Sequence, residues 1–379
     1  MLGLSPGRIE RRRSLSDLWF GVRDRVLSAP RFQRWAARFP LTRFIARRRA
    51  AALFDLCAGF VYSQVLHATV QLGLLELLAD EPRTVVELAP CLHLSAEATE
   101  RLLEAATSLR LVQRRGQGRY GLGRHGAALM GNPAVALMVK HHELLYRDLA
   151  SPVALLRGES PPTELRKFWS YADPSATSSV TEVAGYSKLM AGSLSLIAED
   201  ILEAYPQHRH RRLLDVGGGE GAFLEAAAAA SPDLSLVLFD LPAVAERARA
   251  RLARAGLASR STVVGGSVFE DALPEGADLV SLVRIIHDHD DPEALQILRA
   301  VRAALKPGGV LLVAEPMSGT PGAQPMGDAY FGFYLLAMGQ GRPRTSAQLR
   351  ALLLAAGFGR VRPCRTRRPM LTGLLVAEV

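Results

Sequence analysis

The chain has 379 residues and a net charge of +9, with 49% of its residues hydrophobic, enough for two domains with cores of their own. The charge is concentrated: residues 1–50 hold thirteen arginines against Glu10, Asp17 and Asp24, so the other 329 residues sum to −1. The basicity is therefore that of an N-terminal extension, not of a body built to grip nucleic acid. No uninterrupted apolar run reaches the ~18–20 residues that span a bilayer, and no signal-peptide core precedes a small-residue cleavage site. The expectation is a cytoplasmic protein. Cys57, Cys91 and Cys364 lie too far apart for a disulfide framework or a metal site, and core packing is the expected use of each.

Within the extension, Leu15, Leu18, Trp19, Phe20, Val22, Val26, Phe32, Trp35, Phe39 and Phe44 are interleaved with arginine, and Pro30 and Pro40 divide it into short helices. This pattern suits a peripheral helix on an anionic membrane surface, the partner expected for residues 1–50. The competing reading packs the same aromatics into the protein's own core. From Ala51 to Met130 the pattern is helical. Phe54–Leu78 is one long region interrupted near Gly73, Thr84 starts a short helix to Leu88, and Ser95 caps Ala96–Leu109. Leu111–Arg114 and Arg119–Leu122 flank Gly116–Gly118 as a hairpin. Helices followed by a two-stranded wing make a winged-helix arrangement, assigned to residues 51–135. Its recognition helix would offer Glu97, Glu100 and Glu104 to phosphates, which would repel them. A dimerisation module, hence a homodimer and no nucleic-acid partner, is the better reading. Residues 136–200 read as a helical connector contributing to a substrate pocket.

Residues 201–379 alternate strands and helices, the mark of an α/β fold with a doubly wound, mainly parallel sheet. Leu213–Val216, Leu236–Phe239, Val263-Val264, Leu279–Val283 and Val310–Ala314 are the strands, with Gly357–Val361 and Leu374–Ala377 as an antiparallel end. The first strand carries Asp215 and runs into Gly217-Gly218-Gly219-Glu220-Gly221, and the second ends at Asp240. Glycines let the backbone approach a ligand closely, and a strand-end carboxylate is placed to take both hydroxyls of a ribose. The spacing G-G-G-E-G differs from the dinucleotide G-x-G-x-x-G and suits an amino-acid tail and thioether better than a pyrophosphate.

Leu213–Gly221, Phe239-Asp240-Leu241-Pro242, Ile286-His287-Asp288 and Glu315-Pro316 resemble, in order, the motifs of the plant-type small-molecule O-methyltransferases, and Arg344-Thr345 and Ala355–Phe358 continue the series. The resemblance covers about Ala51–Val379. It implies a Rossmann-like domain dependent on S-adenosylmethionine, preceded by an α-helical winged-helix dimerisation domain. The donor would meet Asp215, Gly217, Gly219, Asp240, Leu241, Ser267, Val268 and Phe269, and the acceptor Tyr186 and Met190. Within the family, the extension, Phe168-Trp169-Ser170-Tyr171 and Arg284–Asp291 look most like the carotenoid 1-hydroxyl methyltransferases of purple photosynthetic bacteria. That implies an apolar acceptor, the 1-hydroxyl of an acyclic carotenoid, and a place at the inner membrane. A methyltransferase of a tetrapyrrole or phenol, and a non-catalytic winged-helix regulator, are the alternatives.

An alcohol attacking a sulfonium methyl must lose its proton. His287, just past the fourth strand and with a reference pKa of ~6.5, is the candidate base. The resemblance gives Glu315 the role of holding its imidazole, with Asp288 supporting the same loop. His289 is the rival base. The run His287–Asp291 also invites a metal reading, but five adjacent polar residues rarely converge on one ion, and no metal is expected. Three positions depart from the family pattern. Ser267 stands where an aspartate over the adenine is usual and Val283 where a lysine is common. Pro343 replaces a second orienting carboxylate, which puts the two-carboxylate clamp on the histidine in question. Met317, Met326, Phe331, Phe333, Tyr334 and Met338 either line an apolar pocket or belong to the core.

Overall fold

The computed structural model describes residues 14–169, 194 and 196–379. Its chain separates into two units, Met1–Gly126 and Ala127–Val379.

The first unit opens with α1 (Leu15–Ser28), α2 (Pro30–Arg38) and the 29-residue α3 (Arg43–Gln71). Ser14 and Asp17 form a capping box at the start of α1, and Pro30 occupies the first turn of α2, where its missing N–H costs nothing. By length and composition α3 is apolar enough to cross a membrane, and that apolar stretch is unburied within the chain. A left-handed Gly73 breaks it from α4 (Leu74–Leu77). β1 (Arg83–Thr84) leads into α5 (Val85–Leu92), capped by Thr84 with Glu87, and Ser95 caps α6 (Ala96–Ser108). β2 (Val112–Arg114) and β3 (Arg119–Leu122) form the wing, but the sheet has three strands, in the order β1-β3-β2. Two residues are too short a strand to leave any periodicity in the sequence. The arginines of the wing are engaged locally. Arg114 pairs with Glu104 of α6, Arg115 donates to the Leu122 carbonyl, and Arg119 donates to that of Pro82. Cys57 and Cys91 are exposed, which overturns their expected place in a core, and Cys364 is half-buried. Cys57 lies on the uncovered α3, so its neighbours supply no core to enter.

α7 (Arg124–Met130) spans the boundary, and the second unit continues with α8 (Pro133–Asp148), α9 (Pro152–Leu156), α10 (Glu164–Trp169) and α11 (residues 196–204). A seven-stranded sheet follows. Its strands are β4 (Arg212–Val216), β5 (Ser235–Asp240), β6 (Ser261–Gly265), β7 (Ala277–Val283), β8 (Leu305–Glu315), β9 (Arg360–Cys364) and β10 (Gly373–Glu378). Their order is β6-β5-β4-β7-β8-β10-β9, the first five parallel and the last two antiparallel. Side chains alternate between two cores, as the two-residue period requires. Leu214, Val216, Val237 and Phe239 pack with α14 (Asp291–Ala304) and α16 (Ser346–Ala355). Leu213, Leu236 and Leu238 pack with α11, α12 (Ala222–Ala230) and α13 (Pro242–Arg254). Between α14 and α16 a π-helical turn, Pro325–Tyr330, leads into α15 (Phe331–Met338). The strand expected at Gly357–Val361 begins at Arg360 instead. Gly357 has φ +97° just past α16 and ends that helix, a left-handed stop a β-strand does not use. The strand order reverses direction beside β4, and such a switch point opens a crevice at the carboxyl ends of the strands.

Candidate active site

β4 delivers the glycine turn to that crevice. Gly217, Gly219 and Gly221 all have positive φ (69°, 58° and 84°). A side chain at Gly217 would place its Cβ 2.5 Å from Ile285 Cδ1, and one at Gly218 would stand 2.5 Å from Asp215 Oδ2. Both the backbone conformation and the space demand glycine. The Gly217 N–H donates to the Phe239 carbonyl at 2.8 Å, tying the turn to the end of β5. There Asp240 accepts from the Gly219 N–H and the Leu241 N–H, each at 2.7 Å. Asp215 is 1% exposed; its Oδ1 accepts from the Ser281 hydroxyl at 2.6 Å, while Oδ2 has no partner among the described residues. Burial raises the Asp215 carboxyl to about 7, opposed by the Ser281 bond and reinforced by Asp240. Burial likewise raises Asp240 to about 6, against the two backbone donors. A buried carboxyl with an orphaned oxygen and a half-buried one, beside a bare glycine backbone, suit a ligand that brings hydroxyls and positive charge. S-adenosylmethionine carries ribose hydroxyls, an ammonium and a sulfonium, and these residues fit it.

The loop after β6 lies alongside, because Asp240 pairs with Gly265 across the sheet. The Ser267 N–H donates to Asp271 Oδ2 at 2.9 Å, and its hydroxyl accepts from the Phe269 N–H at 3.3 Å, so the side chain that replaces an aspartate serves its own turn. Val268 packs on the core and Phe269 stays partly exposed. The His289 ring meets Phe269 edge-on at 5.4 Å. That places the rival histidine against the loop after β6.

β7 and β8 deliver the other half. Arg284 adopts φ +60°, a strained conformation for a residue with a side chain, and its N–H donates to Ala314 at 2.8 Å. The chain then turns through Ile286–Asp288. Glu315, at the end of β8, accepts from the N–H groups of Ile285 (3.1 Å) and Ile286 (2.7 Å) with one oxygen and bonds His287 Nδ1 with the other. A carboxylate only accepts, so the Nδ1 bonded to it carries a proton. Asp288 Oδ1 lies 3.1 Å from Nε2. The histidine thus has two carboxylates after all, the second supplied by its own neighbour rather than by position 343. Burial alone would lower the His287 pKa, but Asp288 and Glu315 outweigh it and hold it above the ordinary value. The Asp288 carboxyl is itself raised by burial, with His287 pulling it down.

The rest of the run His287–Asp291 disperses. Asp290 caps α14 with Glu293, and Asp291 pairs with Arg342 and Arg344. Arg344 is a residue whose role the sequence did not disclose. Fully buried, it donates to the carbonyls of Ile286 and His289, both at 2.7 Å, and to Asp291 at 2.9 Å. The Arg342 N–H donates to the His287 carbonyl at 2.9 Å, and Gly341, with φ +77°, passes so close that a Cβ there would stand 2.3 Å from that same oxygen. Only the motif position of Arg344 hinted at this clamp; burial of a lone arginine is invisible in sequence.

On the acceptor side, the Phe331 ring stands edge-on to His287 at 5.9 Å. Beside it the Tyr330 hydroxyl bonds His142 Nε2, and that of Tyr334 bonds His141 Nε2, each at 2.8 Å, joining α8 to the π-helical turn and to α15. Burial raises Tyr330 to about 12 and lowers His141 to about 4, so that phenol stays protonated and that imidazole neutral. Met317, Tyr334 and Met338 are buried in core clusters, whereas Met326, Phe331 and Phe333 are half-buried. Tyr186 and Met190, the expected acceptor contacts, lie outside the described residues.

An O-methyltransferase dimerisation domain matches residues 54–132 and an O-methyltransferase domain residues 146–359. The demethylspheroidene O-methyltransferase of Cereibacter sphaeroides is 46% identical over 93% of each chain. That of Rhodobacter capsulatus is 40% identical over 93% of this chain and 88% of its own. Human N-acetylserotonin methyltransferase in complex with S-adenosylmethionine superposes with a TM-score of 0.73 at 26% identity, covering 87% of this chain and 97% of that one.

Proposed function

This chain belongs to the O-methyltransferase family that joins a dimerisation domain to an S-adenosylmethionine-dependent catalytic domain, and on that premise we propose that it methylates the 1-hydroxyl of an acyclic carotenoid of demethylspheroidene type. The acceptor class is supported by the two relatives that bear that name and by the aromatic wall beside His287. The observation that carries the reaction is the buried histidine between two carboxylates, at the same carboxyl ends of the parallel strands as the glycine turn and Asp240.

Asp215, Gly217, Gly219, Asp240 and Leu241, with Ser267, Val268 and Phe269, would hold the donor. When bound, the donor supplies a methyl carbon activated by an adjoining sulfonium. His287 Nε2 would take the proton from the acceptor hydroxyl, leaving its oxygen able to accept the methyl group. Glu315 keeps the other ring proton on Nδ1 and, with Asp288, stabilises the imidazolium that forms. Arg344 and Gly341 hold the turn in register, and Phe331 keeps water from the ring. Tyr186 and Met190 contact the acceptor. The working division of the chain is an arm (1–50), a dimerisation domain (51–135) that makes a homodimer, a connector (136–200) and the catalytic domain (201–379). The arm places the enzyme peripherally on an anionic inner-membrane surface, where an oily acceptor resides.

Incubation with labelled donor and detergent-dispersed hydroxylated carotenoids, tetrapyrroles and phenols tests the reading. The expected result is a methyl ether on the 1-hydroxycarotenoid. In His287→Ala, kcat should fall by ~10²–10⁴-fold with donor affinity kept. Unchanged turnover in that variant removes His287 from the chemistry.

A further inference from the structure

We propose that α1 is an in-plane membrane helix whose apolar face binds the surface of an anionic bilayer. Its sequence places Leu15, Leu18, Trp19, Val22 and Val26 within one ~100°-wide stripe at ~100° per residue. These five side chains are 86, 48, 65, 49 and 42% exposed, and α1 buries none of its residues. Arg23 and Arg25 fall at the two edges of the stripe, while Asp17 and Asp24 lie on the opposite face. This is the arrangement of an interfacial helix, in which arginine stems cover apolar surface. Within the chain Arg23 pairs with Asp24 at 2.8 Å over the Phe20 ring and Arg25 donates to the Gly21 carbonyl, contacts that acidic headgroups would exchange for their own. The next helix adds to it: Trp35 and Phe39, both exposed, stack at 5.1 Å, and Arg31 and Arg38, at i−4 and i+3 from Trp35, lie beside it on the same face.

Two observations favour lipid over a second copy of the chain. The dimerisation domain begins at residue 54, so it accounts for exposed Phe54, Leu56, Phe60 and Val61 of α3 but leaves α1 and α2 outside. The cationic rim has a chemical counterpart in acidic headgroups, whereas a second α1 would bring the same arginines against these. The proposal rests on the apolar acceptor for its use, since an enzyme held at the bilayer surface meets a bilayer-dissolved substrate there. Its geometry is independent of that reading.

The test is co-sedimentation of the full chain with vesicles of phosphatidylcholine, with and without phosphatidylglycerol. Binding should need the anionic lipid and weaken with added salt. Val22→Asp, on the stripe, and the pair Arg23→Glu with Arg25→Glu, on its rim, should each reduce it by ~10-fold or more, with the dimer intact by light scattering. Methylation of a detergent-dispersed acceptor should be unchanged in both variants, so loss of that activity in every form would sink the functional reading and not this one. Three results overturn the proposal. One is equal binding of Val22→Asp, which would mark a purely electrostatic polyanion site. Another is loss of the dimer in Val22→Asp, which would give the face to a second copy. The last is no sedimentation of the wild type.

Discussion

The proton on His287 is governed by its two carboxylate neighbours. A general base must be neutral, so activity is lost as pH falls through its pKa. Because Asp288 and Glu315 hold that pKa above the ordinary ~6.5, the acid limb of kcat/KM should lie above that value. Asp288→Asn removes one of the two charges that raise it, so the limb should move to lower pH while Glu315 still sets the tautomer. A profile whose acid limb does not move would show that the Asp288 charge does not act on the base. Asp240 was legible at the end of its strand and His287 just past the end of its own, while Glu315 was legible only through the family resemblance. The partner of Nε2 was not. A carboxylate at residue i+1 faces the ring only because Arg284 takes a left-handed conformation and Arg344 pulls the next carbonyls round.

At the level of elements, the catalytic turn is a short irregular segment held from outside. Glu315 binds its N–H groups, Arg344 and the Arg342 N–H bind its carbonyls, and Gly341 gives the clamping segment room to pass. Gly341→Ala should therefore combine left-handed strain with a collision at the His287 carbonyl, costing roughly 2–4 kcal/mol and reducing kcat. Gly322→Ala is the control, since Gly322 has φ +79° but nothing near its would-be Cβ. A thermal midpoint and kcat that fall no further in Gly341→Ala than in the control would rule out the close approach as the cause. The helices of both units carried readable start signals, Thr84 and Ser95 among them. β1 and the true start of β9 did not, because one is two residues long and the other follows a glycine that stops a helix.

For the whole molecule, the exposed side chains of α3 fall in the region matched by the dimerisation domain. Leu56 is 81% and Phe60 71% exposed, and apolar surface of this kind is stable in water only when a partner covers it. Leu56→Asp with Phe60→Asp should therefore convert a dimer into a monomer by light scattering, while the catalytic domain retains donor binding. A dimer unchanged by both substitutions would place the interface elsewhere. The same exposure explains why Cys57 is not in a core. By itself, the sequence determined the two architectures in their order, the glycine turn, Asp240, the histidine and the segregation of charge into the first fifty residues. These are local signals, written in periodicity and spacing. Only the tertiary structure decided which carboxylate meets Nε2, that Arg344 is the buried clamp, that Asp215 keeps an orphaned oxygen and that α1 leaves its apolar stripe uncovered. Each of these depends on what a side chain finds beside it after folding, and residues dozens of positions apart supply that neighbour.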